Sequence, residues 1–217
     1  NVLRHPSWGR AQETYGEDPV HIGAMGAAFV RGAQRQVIAC AKHFAANSIE
    51  NTRFKVDVRL DERVLREVYL PQFRDCVRQG GVASVMAAYN KVNGEYASQH
   101  AHLLKEILRD EWGFDGLVMS DWLFGTHDTE QAIRAGLDVE MPNPKIYGAP
   151  LVEAVDDGRI DESLVDEAVR RVLRIKLRFG IGDFAQGPAE DPVQDVVECA
   201  AHRALALEAA RQGCVLL

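Results

Sequence analysis

Gly113-Phe114-Asp115-Gly116-Leu117-Val118-Met119-Ser120-Asp121-Trp122 is the stretch on which the reading of this chain turns. Leu117, Val118 and Met119 form a short apolar run between Gly116 and the polar pair Ser120 and Asp121. That is the pattern of a buried strand whose end presents a carboxylate and an indole. An ionised Asp is rarely buried without a partner, so a carboxylate at the mouth of such a strand calls for a purpose. In barrels of parallel strands, chemistry gathers at the C-terminal strand ends.

Three other runs have the same form. Residues 37–41 lead into Lys42-His43-Phe44, residues 82–88 lead into Tyr89-Asn90, and residues 137–141 carry Asp138 and Glu140 inside them. Helical spacing fills the intervals. It covers residues 20–32, a segment capped by Asp61, interrupted at Pro71 and stopped at Gly80-Gly81, and the run Leu103, Leu104, Ile107 and Leu108. Further helices are predicted over 128–135, 151–155 and 161–179, the last with Val165, Val169, Val172, Lys176 and Phe179 along one stripe. Asn93-Gly94 is a turn signal. Strands alternating with helices predict an α/β fold, a parallel sheet covered by helices. Four strands do not close a barrel, so the rhythm leaves two options: an open doubly wound sheet, or part of an eight-stranded barrel.

Past Gly180 the text changes. Gly182, Gly187, Pro188 and Pro192 mark a linker, with a domain boundary near 185–192, an amphipathic helix over 196–210 and a terminal apolar run resembling the opening of a strand. The chain opens on Asn1 and runs straight into dense motif, which reads as a piece of a longer protein.

At 217 residues, 47% hydrophobic and 26% charged, the composition is that of an ordinary globular domain. The net charge of -7 argues against a nucleic-acid partner or an anionic membrane, both of which are usually met by a clustered basic face. No apolar run approaches the roughly 20 residues of a membrane helix. Cys40, Cys76, Cys199 and Cys214 show no CxxC spacing and read as buried thiols. With no Asn-x-Ser/Thr sequon present, a reducing, cytoplasmic compartment is favoured. The seven histidines show neither HExxH nor a cysteine partner at ligand spacing, so no metal and no cofactor are expected, and His100 and His102 read as solvated. Self-association as a homo-oligomer is left open.

Collected, the strand ends give Lys42, His43, Tyr89, Asp121 and Trp122, joined by Arg10 and Arg53 from loops. In either architecture these ends lie on one side of the sheet and their side chains can converge. Cationic donors suit a ligand rich in hydroxyls, an indole can stack on a sugar ring, and a carboxylate set among cations is suited to nucleophilic attack. Each residue also has a plainer reading. Asp121 could cap the next helix, His43 could be a satisfied core histidine, Trp122 could be core, and Arg10, Glu13 and Arg53 could form structural ion pairs.

The strings WGRAQETYGEDP (8–19), KHFAANSIENTR (42–53), VMAAYNKVNG (85–94), GFDGLVMSDW (113–122) and AGLDVEMP (135–142) resemble, in order and spacing, the β-glucosidase branch of glycoside hydrolase family 3. The resemblance implies a (β/α)8 TIM-type barrel followed by an α/β sandwich domain. Residues 1–184 would be the C-terminal half of the barrel, and residues 185–217 the linker and first helix of the sandwich. By the same resemblance Asp121 matches the catalytic nucleophile, and Lys42 and His43 match a pair that holds sugar hydroxyls. Arg10 and Arg53 match two further glycone contacts, Tyr89 matches a tyrosine near the nucleophile, and Met86 and Trp122 resemble residues lining the sugar pocket.

The implied activity is that of a retaining, exo-acting β-glycosidase. It would release terminal β-D-glucosyl residues from β-glucosides and oligosaccharides through a covalent glycosyl-Asp121 intermediate. Retention needs a second carboxyl group about 5 Å from the first. Glu13, Glu50, Asp138 and Glu140 are candidates by residue type, with Glu140 reading instead as one half of an internal ion pair. In the family branch the acid/base is a Glu of the second domain, outside this chain, which by itself is then expected to be inactive. The stretch AANSIENTR lacks the glycine- and histidine-rich loop of the N-acetylglucosaminidase branch. Three alternatives stand beside the main reading: a β-xylosidase, one hydroxymethyl group away; a non-catalytic sugar-binding module; and a lyase using Lys42 as a Schiff base.

Overall fold

Asp18 opens the first helix by accepting a hydrogen bond from Val20 N at 2.8 Å, with Pro19 placed where its missing N–H leaves no helical bond unmade. The computed structural model describes residues 1–181 and 196–215. They divide into two units, Asn1–Gly180 and Ile181–Leu217.

In the first unit, α1 (Pro19–Ala33) leads to β1 (Cys40–Phe44). The predicted strand over 37–41 is therefore displaced. Val37 N donates to Ala33 O at 3.0 Å, extending the turns of the helix end, and its exposed side chain adds nothing to a sheet. Pairing starts only at Cys40, so Lys42 and His43 lie within the strand. Next come β2 (Asp57–Val58) and α2 (Glu62–Val64), whose cap Asp61 accepts from Val64 N at 2.8 Å. A π-helical turn over Leu65–Tyr69 follows, and Pro71 restarts the chain as α3 (Pro71–Arg78), which packs on α1.

After β3 (Ser84–Ala87), β4 (Lys91–Val92) and β5 (Glu95–Tyr96) form a hairpin across Asn93 and Gly94. Both turn residues have positive φ, 50° and 102°, which is the type I′ geometry that Asn-Gly favours. β2 pairs parallel with β4, giving a small second sheet that the sequence did not announce. A π-helical stretch, His102–Glu111, then places Leu103, Leu104, Ile107 and Leu108 in the core, each fully buried. Burial of such a side chain contributes about 1.5–3 kcal/mol. Phe44 anchors the same core, edge-on to Phe73 at 5.2 Å and to Trp112 at 5.9 Å.

β6 (Leu117–Met119) completes a parallel sheet in the order β1-β3-β6, with Val85 facing Ala41 on one side and Val118 on the other. The strand predicted over 137–141 contracts to a single bridge, Met119 to Val139. Its ladder is interrupted by its own side chain, because the Asp138 carboxylate accepts from Val118 N at 2.7 Å where a fuller ladder would use backbone. α4 (Thr129–Ala135), α5 (Ala149–Asp156) and α6 (Glu162–Arg178) close the unit. The stripe predicted along α6 is rotated: Ala168 and Ile175 are buried and Leu164 and Val165 partly so, while Val169 and Lys176 face solvent. Arginine at 171, sent inward to Asp138, takes a position the apolar pattern did not assign.

In the second unit α7 (Ala200–Gln212) begins four residues later than predicted, after a turn over residues 196–198, and buries none of its side chains. The predicted linker and boundary at 185–192 lie outside the described residues, as do Leu216 and Leu217 of the terminal apolar run. Among the described residues, no helix is long and apolar enough to cross a membrane.

Candidate active site

The parallel sheet delivers β1, β3 and β6 to one edge, and the site begins in an irregularity there. Lys42 pairs with Met86 and Phe44 with Ala87, so His43 is an extra residue in the ladder, a bulge of the kind that re-aims a side chain. It also carries two cis peptide bonds, Lys42–His43 and Phe44–Ala45. Lys42 is exposed while His43 is buried. Met86 is buried in the central strand, opposite Lys42 in one neighbour and Met119 in the other.

Asp121 lies two residues past the end of β6 and is 7% exposed. It is not a helix cap: Asp128 caps α4, accepting from Gln131 N at 2.8 Å. The turn that carries Asp121 is closed on itself. Leu123 takes a positive φ of 66° and donates from its amide to Met141 O at 3.0 Å, and a Cβ on Gly125 would stand 2.4 Å from Asp121 O. Only glycine lets the chain return this near. Asp121 Oδ1 accepts from Trp122 N at 2.8 Å, whereas Oδ2 is buried without a hydrogen-bond partner and lies 3.5 Å from His43 Nε2.

The imidazole explains why that oxygen is left over. Burial, followed by the charges of Arg10 and Lys42, pushes His43 down to about 2, so the ring is neutral. Arg10 Nη1 donates to Nε2 at 2.8 Å, which assigns the ring proton to Nδ1 and leaves Nε2 nothing to donate to Asp121. Arg10 is itself held by Glu13 through two bonds, Nε to Oε1 at 2.8 Å and Nη2 to Oε2 at 2.6 Å. Tyr89 donates from its hydroxyl to Trp122 O at 2.7 Å, and burial together with the Asp121 charge raises its phenol to about 12.

Arg53 lies over the Tyr89 ring, 4.9 Å from the centroid, and donates to Glu50 Oε2 at 2.8 Å. Trp8 Nε1 donates to the other Glu50 oxygen at 3.3 Å. Lys42 is near enough for its charge to help lower both His43 and Glu13. It borders, with Glu13, an apolar hollow of about 280 Å³ that does not include Asp121. Trp122 is 42% exposed rather than core, and it is joined to the site through its backbone, N–H to Asp121 and carbonyl to Tyr89.

The structure thus joins Arg10, His43, Asp121, Tyr89 and Trp122 by direct contacts, adds Arg53 through Tyr89, and sets Lys42 beside them; Met86 lies beneath, in the sheet. The four other carboxyl groups are each engaged. Glu13 serves Arg10 and Glu50 serves Arg53. Glu140 is not in an ion pair: its Oε2 accepts from Ile146 N and Tyr147 N, both at 2.8 Å, and ties down a loop. Asp138 accepts from Arg109 Nη2 and Arg171 Nε at 2.7 Å each. His100 is buried rather than solvated, and His102 bridges Glu106 and Glu62. Gly125, and the rings of Phe54 and Phe124, of which Phe54 meets both Tyr89 and Phe124 edge to face, are participants that the sequence pattern passed over, while Glu50, weighed there as an acid, partners Arg53 instead. The Glu50–Arg53 spacing of three residues is the one local signal among them. Among the described residues, no group of three or more His, Cys, Asp or Glu is arranged to hold a metal ion.

A family model described as the glycosyl hydrolase family 3 N terminal domain matches residues 1–175. A β-glucosidase of Rhizobium radiobacter is 43% identical over all of this chain and 26% of its own length. Thermostable β-glucosidase B of Acetivibrio thermocellus is 40% identical over all of this chain and 28% of its own. Among solved structures, β-glucosidase 3B from Thermotoga neapolitana in complex with glucose superposes with a TM-score of 0.85 at 40% identity, over 100% of this chain and 31% of that one. DesR, a β-glucosidase from Streptomyces venezuelae in complex with D-glucose, gives 0.89 at 37% identity, over 100% and 29%. The chain spans about a quarter of the length of the curated relatives it matches.

Proposed function

Because this chain belongs to glycosyl hydrolase family 3, we propose that it carries the nucleophile and the glycone-binding residues of a retaining, exo-acting β-glucosidase. The observation that carries the proposal is the Asp121 carboxylate: one oxygen fixed by Trp122 N, the other buried, unpartnered and facing a neutral His43. A buried acceptor without a donor is costly, and it is what a nucleophilic oxygen awaiting a substrate carbon looks like. The names of the relatives support glucose as the sugar. The β1-β3-β6 succession, with Val139 bridged next to β6, supports residues 1–184 as the C-terminal part of a (β/α)8 barrel, with residues 185–217 as the linker and start of an α/β sandwich domain.

In the proposed reaction Asp121 Oδ2 forms a bond to the anomeric carbon while the bond to the aglycone oxygen breaks and that oxygen takes a proton from an acid. Water then attacks the same carbon, breaking its bond to Asp121 Oδ2 and giving a proton back to the conjugate base of that acid, and the two successive inversions give net retention. Arg10, Lys42, His43 and Arg53 hold sugar hydroxyls. Tyr89, through Trp122 O, fixes the turn that aims Asp121, while Met86 and Trp122 line the pocket. Glu13, Glu50, Asp138 and Glu140 are each tied to a guanidinium or to backbone amides, which supports placing the proton donor elsewhere in the sequence of the whole enzyme.

The test is labelling with a 2-deoxy-2-fluoro-β-D-glucosyl fluoride, whose leaving group needs little acid assistance, followed by peptide mapping. An adduct on Asp121 is expected. Glucose binding without an adduct, or an adduct on another carboxylate, would overturn the assignment.

A further inference from the structure

Two large rings stand at the surface of this site although the core beneath has no need of them. Phe54 is 40% exposed and Phe124 56% exposed, yet they pack on each other with centroids 5.4 Å apart and planes at 71°. Phe54 also meets Tyr89 edge to face, at 4.7 Å and 68°. Rings in these orientations attract one another specifically, by matching positive edge to negative face. The Arg53 guanidinium completes the group, lying 4.8 Å from the Phe54 centroid and 4.9 Å from that of Tyr89.

The three rings come from the loops that follow three different strands. Phe54 follows β1 after a long loop, Tyr89 follows β3, and Phe124 belongs to the turn after β6 that begins with Asp121. No backbone hydrogen bond runs from residues 53–54 to residues 121–125. Glu50 fixes one edge of the guanidinium but sits on the same loop as Arg53, so it cannot register that loop against the turn bearing Asp121. The aromatic chain can, because Phe54 touches both Tyr89 and Phe124.

We propose that Phe54 and Phe124 are positioning residues, forming with Tyr89 an aromatic clasp that sets the Arg53 guanidinium relative to Asp121. This rests on the glycone-binding role proposed above for Arg53. It adds that the arginine's place is determined from across the site, by a ring on the turn of the nucleophile.

The test uses the whole enzyme that carries this chain and two readouts. In the first, the Arg53 Nε–H resonance, identified by its loss in Arg53→Lys, is followed by NMR. Two ring faces should shift it upfield, and Phe124→Ala or Phe54→Ala should return it towards the value of a free arginine, while Phe124→Tyr leaves it in place. An unmoved resonance in Phe124→Ala would overturn the clasp. In the second readout, glucose affinity is measured by calorimetry in a double-mutant cycle. Phe124→Ala should weaken binding about tenfold in the wild-type background and have little effect in Arg53→Ala, since its influence passes through that residue. Additive losses would overturn the proposal, and so would a loss of affinity in Phe124→Tyr equal to that in Phe124→Ala. A whole enzyme whose glucose affinity is unchanged in Arg53→Ala but whose Arg53 resonance moves as expected would refute the glycone-binding role and leave the clasp standing.

Discussion

The carboxylate of Asp121 and the imidazole of His43 stand 3.5 Å apart with no hydrogen bond between them. Arg10 keeps them separate by occupying Nε2, the one ring nitrogen that faces the carboxylate. Replacing Arg10 by Ala should let the ring proton move from Nδ1 to Nε2 and bond Asp121, consuming the free oxygen. Imidazole ¹⁵N shifts report the tautomer directly. The expected outcome is an Nδ1–H form in the wild type and an Nε2–H form in the variant, with slower labelling of Asp121.

Asp121→Asn preserves shape and the bond from Trp122 N while removing nucleophilic power. Turnover of β-glucosides by the whole enzyme should fall about a thousandfold or more, with glucose affinity changed only a few-fold. Calorimetry and a product assay on the same preparation check both halves.

Gly125→Ala places a methyl group 2.4 Å from Asp121 O and 2.7 Å from Asp121 N. The turn must open, and displacement of a reacting group on the scale of an ångström costs about a hundredfold in rate. Labelling of Asp121 by the fluoroglucosyl reagent should slow accordingly, with a much smaller change in melting temperature than in labelling rate.

Stability should respond to pH through histidines of opposite sign, with burial lowering His43, His100 and His127 and carboxylates raising His102. Burial, then Arg10 and Lys42, depress His43 to about 2, so the folded state binds fewer protons than the unfolded one. Stability is then lost as pH falls below about 6.5, by up to about 1.4 kcal/mol per pH unit. His102 is raised: burial works against its charge, but Glu106 and Glu62 outweigh it. Its contribution is complete below about 6.5 and fades as pH rises through the elevated value. Urea midpoints measured from pH 4 to 8 should show both limbs, the acid one flattened in His43→Gln and the upper one in His102→Gln.

Asp138 is fully buried at its side chain and bonded to Arg109, Arg171 and Val118 N. Asp138→Ala leaves two guanidinium groups facing each other and an amide unsatisfied, a loss of about 3–5 kcal/mol. Urea unfolding measures it directly.

Much of this was legible in the residues. Asp61, Asp128 and Asp161 cap the helices predicted beside them, and Asn93-Gly94 turns the hairpin, because these signals act within four residues of chain. The strand ends also converge as their polar residues suggest. What escaped depends on partners distant in sequence. Arg171 turns inward because Asp138 waits 33 residues away, which rotates the buried stripe of α6. The strand at 137–141 shrinks for the same reason, and Glu140 serves backbone amides that no side-chain pattern announces. The neutrality of His43 follows from burial and from Arg10, neither visible in Lys42-His43-Phe44 itself.

The bulge in β1 has one more consequence. Because Lys42 and Phe44 take neighbouring partners on β3, His43 is the member of that strand with no opposite number, and it is the one presented to Asp121. The meeting of His43 with Asp121 is therefore written into a miscount of the ladder rather than into its regular part. Deleting His43 would mend the ladder and remove the side chain that faces Asp121. Transplanting this site onto another parallel sheet would require carrying the flaw along with the side chains.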